Sequence, residues 1–366
     1  MKDDADFSYS DFTAMLMAWL VFTLPFTTPL LLASNTPWAA YMQSPYLVYA
    51  VGCGLIMAGH LATKDPWLGA AIAWPVLMCL WVPKPMSYQT TITMLLSGFA
   101  LTMIWSWREE WVGLAKWALV GAAVFQGSYA MLQPFGIDWL WGLWDNEVVR
   151  NRYAAVGTIG NNNWLGVYFA MLLPLMPLWA GVLVVGGLIV SKCLTGIVAA
   201  ACGIAWMDKK RRWYWLGLGL VAAVAVMLWR GKTWPTGILE RFEVWAFVAK
   251  TMPWWQWIIG AGPGSWSDIV PFWQLTANQN RHALFLQGHS EPFQIVFETG
   301  VIGLALIAAF VYANRKMFAG PYGGSLVAMG VASLTMFGFR LAILGCTALV
   351  IIGLATRETH VSLRNG

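Results

Sequence analysis

The chain alternates long apolar runs with short polar or basic turns. A helix needs about 20 mostly apolar residues to cross a bilayer, and shorter helices suffice where they are buried or broken. The junctions at Lys192 and Arg340 are so short that 181–207 and 323–355 each fit one helix or two, which gives ten to twelve spans. We favour twelve transmembrane helices, predicted at 12–33, 46–63, 67–82, 88–107, 111–133, 163–179, 181–192, 194–207, 213–229, 291–313, 323–339 and 341–355.

One large segment, 230–290, lacks a spanning pattern. Long ordered loops are usually functional. Apolar residues recur at helical spacing in 240–250, with charged residues between them, and three tryptophans follow in 253–257. Such amphipathic segments lie in the plane of the membrane surface. We therefore expect short helices in this loop and, because no repeat or linker divides the chain, a single integral membrane domain over 1–366.

The composition agrees with a membrane location. Of the 366 residues, 59% are hydrophobic and only 11% are charged, and the mean hydropathy is +0.61. Soluble domains carry about 25% charged residues. The 25 tryptophans fit the enrichment of this residue at membrane interfaces. A water-soluble enzyme, a disordered chain and a DNA-binding domain are thereby excluded, and the expected fold class is an all-α polytopic membrane protein.

Basic residues predict which helix ends face the cytoplasm, because loops rich in lysine and arginine stay on that side. The densest basic loop is 208–212, with the sequence DKKRR. Counting twelve helices from this loop places both chain termini in the cytoplasm and the loops 134–162 and 230–290 on the opposite face. The same count places five further basic residues in the cytoplasm, namely Lys64, Arg108, Arg315, Lys316 and Arg357.

Ionisable residues near the opposite face are the candidate site residues, because a charge at membrane depth is costly and usually marks a functional site. Arginine matches phosphate oxygens in bidentate fashion and keeps its charge when it is desolvated. A cluster of arginines at the membrane surface therefore suits an anionic ligand such as a lipid diphosphate. The candidate ligands for the anion are Arg150, Arg152, Lys192, Arg241, Arg281 and Arg340.

His289 is the strongest candidate for a catalytic residue. It precedes Ser290, a residue type that caps helices, and the predicted helix 291–313. An unperturbed histidine, with a pKa of about 6.5, suits a general base at neutral pH. Three polar residues follow His289 on one face of the predicted helix, at positions i, i+3 and i+7, namely Glu291, Gln294 and Glu298.

A metal site is not expected. His282 and His289 are separated by a loop, and no HExxH motif or carboxylate cluster accompanies them. The glycine-rich stretch 260–264 contains Pro263 and follows no predicted strand. It is therefore predicted to form a turn, and not a phosphate-binding loop.

Three sequence blocks together resemble the O-antigen ligase and O-antigen polymerase superfamily of bacterial membrane glycosyltransferases. The first block is GTIGNNN at 157–163, followed by LPL at 173–175. The second is RFEVW at 241–245, followed by IGAGPG at 259–264. The third, HSEPFQIVFETGVIG at 289–303, is the most specific of the three.

The resemblance covers about residues 150–315. It implies a glycosyltransferase that moves a glycan from an undecaprenyl-diphosphate carrier to an acceptor hydroxyl at the periplasmic face of the bacterial inner membrane, with no metal or other cofactor. It also implies that His289 is the general base and that Arg241 binds the diphosphate. Lys192 stands where the family often has arginine, which keeps the charge but loses the bidentate geometry. Attack opposite the diphosphate predicts inversion at the anomeric carbon.

The resemblance leaves the acceptor open. Ser290 stands where the family's signature usually has asparagine, so ligase and polymerase are not distinguished. The acceptor is lipid A–core, a growing glycan or, in an O-oligosaccharyltransferase, a protein. The matching blocks also supply the polar residues expected to support the site, namely Glu291, Gln294, Glu298, Asn161 and Asn163.

A transporter or flippase of lipid-linked sugars is the alternative from another functional class, because twelve spans and a basic cavity suit it too. Transporters place ionisable residues and broken helices near the bilayer midplane, often in repeated halves. Here the ionisable residues gather near one membrane face and in one long loop, and no repeat is visible. This distribution favours the transferase.

Overall fold

A computed structural model describes residues 103–138, 154–229, 236–276, 285–336 and 340–364, together with isolated positions between 67 and 101. Within these residues the structure is all-helical and contains no strand, as predicted. The predicted helices 12–33 and 46–63 lie outside the described residues. Those at 67–82 and 88–107 are described only in part.

The described helices follow the apolar runs of the sequence. Three single turns of 3-10 helix join them, at Gln133–Phe135, Leu173–Leu175 and Arg315–Phe318. The α-helices are α1 (Glu109–Leu132), α2 (Asn162–Leu172), α3 (Leu178–Ser191), α4 (Leu194–Met207), α5 (Arg212–Trp229), α6 (Thr236–Thr251), α7 (Trp254–Ile259), α8 (Trp266–Thr276), α9 (Glu291–Ala313), α10 (Gly323–Ser333) and α11 (Ala342–Arg364).

Both ambiguous segments contain two helices. Lys192 adopts a left-handed conformation, with φ of 53°, and separates α3 from α4. The helix α10 ends at Ser333 and α11 begins at Ala342, and the described residues 334–336 are not helical. The predicted helix 323–339 is therefore too long at its C-terminal end, whereas the predicted helix 341–355 is too short.

Pro174 shortens another predicted helix. The prediction of 163–179 is wrong at its end, because α2 stops at Leu172 and a 3-10 turn over Leu173–Leu175 follows. Proline has no backbone N–H and clashes with the preceding helical turn, so the helix does not continue through it. The next helix accordingly begins at Leu178, earlier than predicted.

Contacts between helix termini define two ends of the structure. At one end, which we call the Lys192 end, the Asn162 side chain at the start of α2 donates to the carbonyl of Ser191 at the end of α3, at 3.1 Å. At the same end the Lys192 ammonium lies 3.9 Å from the ring centre of Trp229, the last residue of α5. The start of α2 and the ends of α3 and α5 therefore meet.

The opposite end, which we call the Asp208 end, carries the basic loop. Trp206 donates from its indole to the Phe318 carbonyl at 2.7 Å, which joins the end of α4 to the turn after α9. Arg357 of α11 lies 2.8 Å from a carboxylate oxygen of Glu109 at the start of α1. The described basic residues near these contacts, including Arg315, Lys316 and Arg357, therefore lie at the same end as the loop 208–212.

Small residues let the central helices approach closely. A Cβ atom on Gly196 of α4 would lie 2.5 Å from the Gly166 carbonyl oxygen of α2, and one on Gly203 would lie 2.5 Å from the Gly324 carbonyl oxygen of α10. Such contacts are typical of helices that pack in membranes. The main apolar core forms around them, with Phe169 among its fully buried side chains.

The predicted loop 230–290 contains the helices α6, α7 and α8, which confirms the expectation of helices there. They form a second apolar core with the N-terminal half of α9. Trp266 and Phe297 are fully buried at its centre, with their rings edge to face at 5.0 Å.

A kink in α9 receives the glycine-rich turn. Gly300 has φ of 70° and ψ of 179°, a conformation that is essentially restricted to glycine. The kink frees the carbonyls of Phe297 and Glu298, which accept from the amides of Ala261 and Gly262 at 2.8 and 2.9 Å. Residues 260–264 thus form a turn, as predicted. The turn forms hydrogen bonds with the kinked part of α9.

Replacing Gly300 by alanine should destabilise the protein by more than about 2 kcal/mol, because the backbone conformation is strained for any other residue. In addition, the new Cβ would lie 2.0 Å from the Ile258 carbonyl oxygen. Gly330→Ala is the matched control, since a Cβ there meets nothing within 4 Å in its helix. Thermal unfolding in detergent measures both, and equal midpoints for the two variants would contradict the kink's role.

Candidate functional site

His289 lies at the entrance of α9 in a left-handed conformation, with φ of 52°. Ser290 caps the helix, as predicted, and its hydroxyl accepts from the Phe293 amide. The imidazole packs edge to face against the ring of Phe285, with the ring centres 5.4 Å apart. A non-glycine residue rarely adopts positive φ, and such residues cluster at functional sites.

Two hydrogen bonds hold the residue before His289. The indole of Trp245, on α6, donates to the Gly288 carbonyl at 2.6 Å. The Gly288 amide donates to the side-chain oxygen of Gln294, on α9, at 2.8 Å. The backbone that carries His289 is therefore fixed from two different helices.

A buried polar network continues from Gln294 along α9. The Gln294 amide nitrogen donates to Glu298 at 2.8 Å, and Glu298 also accepts from the Gly264 amide at 2.9 Å. Arg340 lies 3.0 Å from Glu298 and 3.4 Å from Glu291. The three polar residues predicted to line one helix face thus form one connected group with Arg340.

This network changes the interpretation of Arg340. The sequence made it a candidate ligand for a diphosphate, but the structure places its guanidinium against two buried carboxylates. Because Glu291 and Glu298 already balance its charge, Arg340 is better explained as an internal ion-pair partner than as an anion ligand.

Arg241 has a different environment. It lies on α6 one helical turn before Trp245, and its guanidinium donates to the Thr335 carbonyl at 2.7 Å. In the part of the chain that the structure describes, no carboxylate lies within ion-pair distance of it. Burial lowers the pKa of Arg241 from its ordinary value. A guanidinium has five N–H donors, so Arg241 keeps donors for a ligand.

His289 and Arg241 lie close enough to interact electrostatically. Burial, and secondarily the positive charge of Arg241, lowers the pKa of His289 to about 3. The imidazole is therefore neutral at physiological pH, as a proton acceptor must be.

The hairpin between α3 and α4 carries Lys192. The Lys192 side chain is buried, with its ammonium over the Trp229 ring. The hydroxyls of Thr195 and Thr335 lie 3.1 Å apart. Because the Thr335 carbonyl also binds Arg241, the hairpin and Arg241 belong to one neighbourhood at the Lys192 end.

Asn161 and Asn163 support that hairpin indirectly. The Asn161 side chain caps α2 by accepting from the amides of Asn163 and Trp164 at 2.9 and 3.3 Å. The Asn163 carbonyl accepts from the Cys193 thiol at 3.4 Å. Asn161 therefore caps α2, whereas Asn163 contacts the hairpin through its backbone carbonyl.

The structure brings most of the predicted site residues to the Lys192 end. Arg150, Arg152 and Arg281 lie outside the described residues. Sequence reasoning did not assign Trp245 or Thr335 to the site, although Trp245 ends the RFEVW block. The four-residue spacing of Arg241 and Trp245 was the available signal for Trp245, because residues four apart share one face of a helix.

Comparison with known proteins gives no match for this chain, either among protein-family models or among curated proteins.

Replacing Arg340 by glutamine should destabilise the protein by about 3–5 kcal/mol, because it leaves two buried carboxylates without their cation. Arg315→Gln is the control, since Arg315 lies exposed in the turn after α9, and it should cost less than about 1 kcal/mol. Thermal unfolding of both variants in one detergent checks this. If Arg340→Gln is as stable as the control, the ion pairs do not stabilise the fold.

Folding stability should fall as the pH drops from about 6.5 towards about 3, because the native state resists protonation of His289 and the unfolded chain then binds more protons. His289→Asn should lessen this loss, and asparagine tolerates positive φ. Unfolding midpoints at about pH 7 and about pH 4.5 provide the measurement. The same loss in both proteins would show that His289 does not contribute to it.

Proposed function

We propose that this chain is a twelve-span protein of the bacterial inner membrane, with the Asp208 end in the cytoplasm and the Lys192 end in the periplasm. Two described helices, Arg212–Trp229 and Glu291–Ala313, have the length and apolar composition of a membrane span. Large apolar side chains are exposed along other helix surfaces as well, for example Leu178 and Val182 on α3. Lipid is the solvent that suits such surfaces.

We infer that the protein transfers a glycan from an undecaprenyl-diphosphate carrier to an acceptor hydroxyl at the periplasmic face. The observation that carries this proposal is that the neutral imidazole of His289 lies near the half-buried guanidinium of Arg241, which has no carboxylate within ion-pair distance among the described residues. The first group suits a general base, and the second suits a phosphate ligand.

In the proposed reaction the acceptor hydroxyl gives its proton to His289, and its oxygen attacks the anomeric carbon of the donor sugar. The bond from that carbon to the diphosphate oxygen breaks, and the electron pair leaves with the diphosphate. Arg241 stabilises the charge that develops on this leaving group, which is often the largest contribution to catalysis. Attack from the opposite side inverts the anomeric carbon.

Binding of the glycan donor also makes His289 more basic. The charge of Arg241 contributes to the low pKa of His289 in the protein alone. The negative charges of a bound diphosphate oppose that effect and favour the protonated imidazole. His289 consequently becomes a stronger base once the donor is in place.

Three acceptors suit this reaction, namely lipid A–core, a growing glycan and a protein. A strain that lacks the gene, complemented with the intact gene, distinguishes them when glycan is analysed on lipopolysaccharide, in free polymer and on protein. The class that carries glycan only in complemented cells identifies the acceptor.

Two substitutions should separate binding from chemistry. His289→Asn should lower glycan transfer on the order of 10²–10⁴-fold but keep the binding of farnesyl diphosphate, a short analogue of the carrier. Arg241→Gln should weaken both, because it removes the anion ligand. Complemented cells report transfer, and ligand-induced thermal stabilisation of purified protein reports binding.

Arg212→Gln is the matched control, since Arg212 lies exposed at the Asp208 end, and it should change neither quantity. Full transfer by a well-folded His289→Asn variant would overturn the catalytic role of His289. Unchanged farnesyl diphosphate binding by Arg241→Gln would overturn the diphosphate role of Arg241.

A further inference from the structure

The conformation of His289 needs a restraint. Its φ of 52° lies in the left-handed region, which is unfavourable for a side-chain-bearing residue by roughly 1–2 kcal/mol. A residue in such a conformation persists only where the surroundings over-determine it. The two neighbouring residues supply that restraint, Ser290 through its side-chain hydroxyl and Gly288 through its amide.

The Gln294 side chain has one defined orientation. A carboxamide can rotate by half a turn and exchange its oxygen with its nitrogen. Glu298, when ionised, offers only acceptors, so the Gln294 nitrogen faces Glu298 at 2.8 Å and the oxygen faces the Gly288 amide at 2.8 Å. The same nitrogen donates to Gln287 at 3.0 Å. Glu298 and the Gly288 amide therefore favour the same orientation of the Gln294 carboxamide.

Glu298 is itself held in place. It is buried and accepts from the Gly264 amide, and it pairs with Arg340. A continuous series of contacts thus runs from Arg340 through Glu298 and Gln294 to Gly288, the residue immediately before His289. Each residue in this series contacts the next, so the position of Gly288 depends on the charge of Glu298 and the orientation of the Gln294 side chain.

We propose that Gln294 is a positioning residue for His289, and that Glu298 sets the direction of the Gln294 amide so that its oxygen holds the Gly288 N–H. This inference rests on the proposed function, because it assigns His289 the role of base. In this role Gln294 does not contact the glycan donor or the acceptor substrate. It acts through the backbone that carries the His289 imidazole.

A second hydrogen bond at Gly288 connects His289, the proposed base, with the helix that carries Arg241, the proposed diphosphate-binding residue. Trp245 donates to the Gly288 carbonyl and lies one turn after Arg241 on α6. Gln294 and Trp245 therefore both form hydrogen bonds with Gly288, Gln294 with its N–H and Trp245 with its carbonyl. Releasing the N–H leaves a single hydrogen bond at Gly288, about which the loop that carries His289 can pivot.

The test is an exchange of the two side chains. Q294E keeps the size of the side chain and an acceptor for Gly288, but it places a second carboxylate against Glu298. The double variant Q294E/E298Q restores complementarity, because the new amide at position 298 donates to the new carboxylate at position 294 and its oxygen accepts from Gly264. Arg340 retains Glu291 in both variants.

Two measurements are made on purified full-length protein. The first is kcat and KM for transfer from undecaprenyl-diphosphate-linked glycan extracted from the source strain. The second is hydrogen–deuterium exchange of the peptide that contains residues 285–290. We expect Q294E to lower kcat on the order of 10²-fold with little change in KM, since a misplacement of about 1 Å has that effect. Exchange of the 285–290 peptide should accelerate.

The double variant should regain protection of 285–290 and at least about tenfold in kcat. Wild-type kcat in Q294E would overturn the proposal, and so would a loss in Q294E that the double variant does not reverse. His289→Asn, assayed in parallel, separates this result from the proposed function. If His289→Asn transfers glycan fully, the proposed function fails, whereas an inactive His289→Asn beside an active Q294E refutes only the positioning role.

Discussion

The buried carboxylate of Glu298 is the contact on which the arrangement of the site depends. A buried charge is tolerated only when it is paired and hydrogen-bonded. Glu298 satisfies this requirement with three groups from separate parts of the chain, namely Gly264 before α8, Gln294 one turn earlier in α9, and Arg340 before α11. One side chain thereby joins the loop helices, the helix that follows His289 and the last described helix.

The kink at Gly300 makes that convergence possible. An uninterrupted α-helix would use the carbonyls of Phe297 and Glu298 internally, and the glycine-rich turn would have no acceptors on α9. Because the kink releases them, the amides of Ala261 and Gly262 bind there, and the second core closes around Trp266. The irregular backbone of the helix and the irregular backbone of the turn satisfy each other.

The three described cations of the candidate cluster differ in their partners and not in their charge. Arg340 is balanced by two carboxylates, Lys192 lies over the ring of Trp229, and Arg241 donates to a carbonyl. Because no carboxylate among the described residues lies within ion-pair distance of Arg241, its charge remains available to an anion and also disfavours protonation of His289. Chemical type made these residues candidates, and environment separates their roles.

The sequence by itself determined features that depend on neighbours in the chain. Apolar runs located the described helices approximately, although α2 ends before Pro174 and therefore earlier than predicted. Ser290 was recognisable as a cap because a cap acts within one helical turn. Only the tertiary structure decided that Arg340 pairs with Glu298, and that Trp245 and Gln294 form hydrogen bonds with Gly288, the residue before His289. The physical reason is that a hydrogen bond or ion pair between separate elements depends on how those elements pack, which local patterns do not encode.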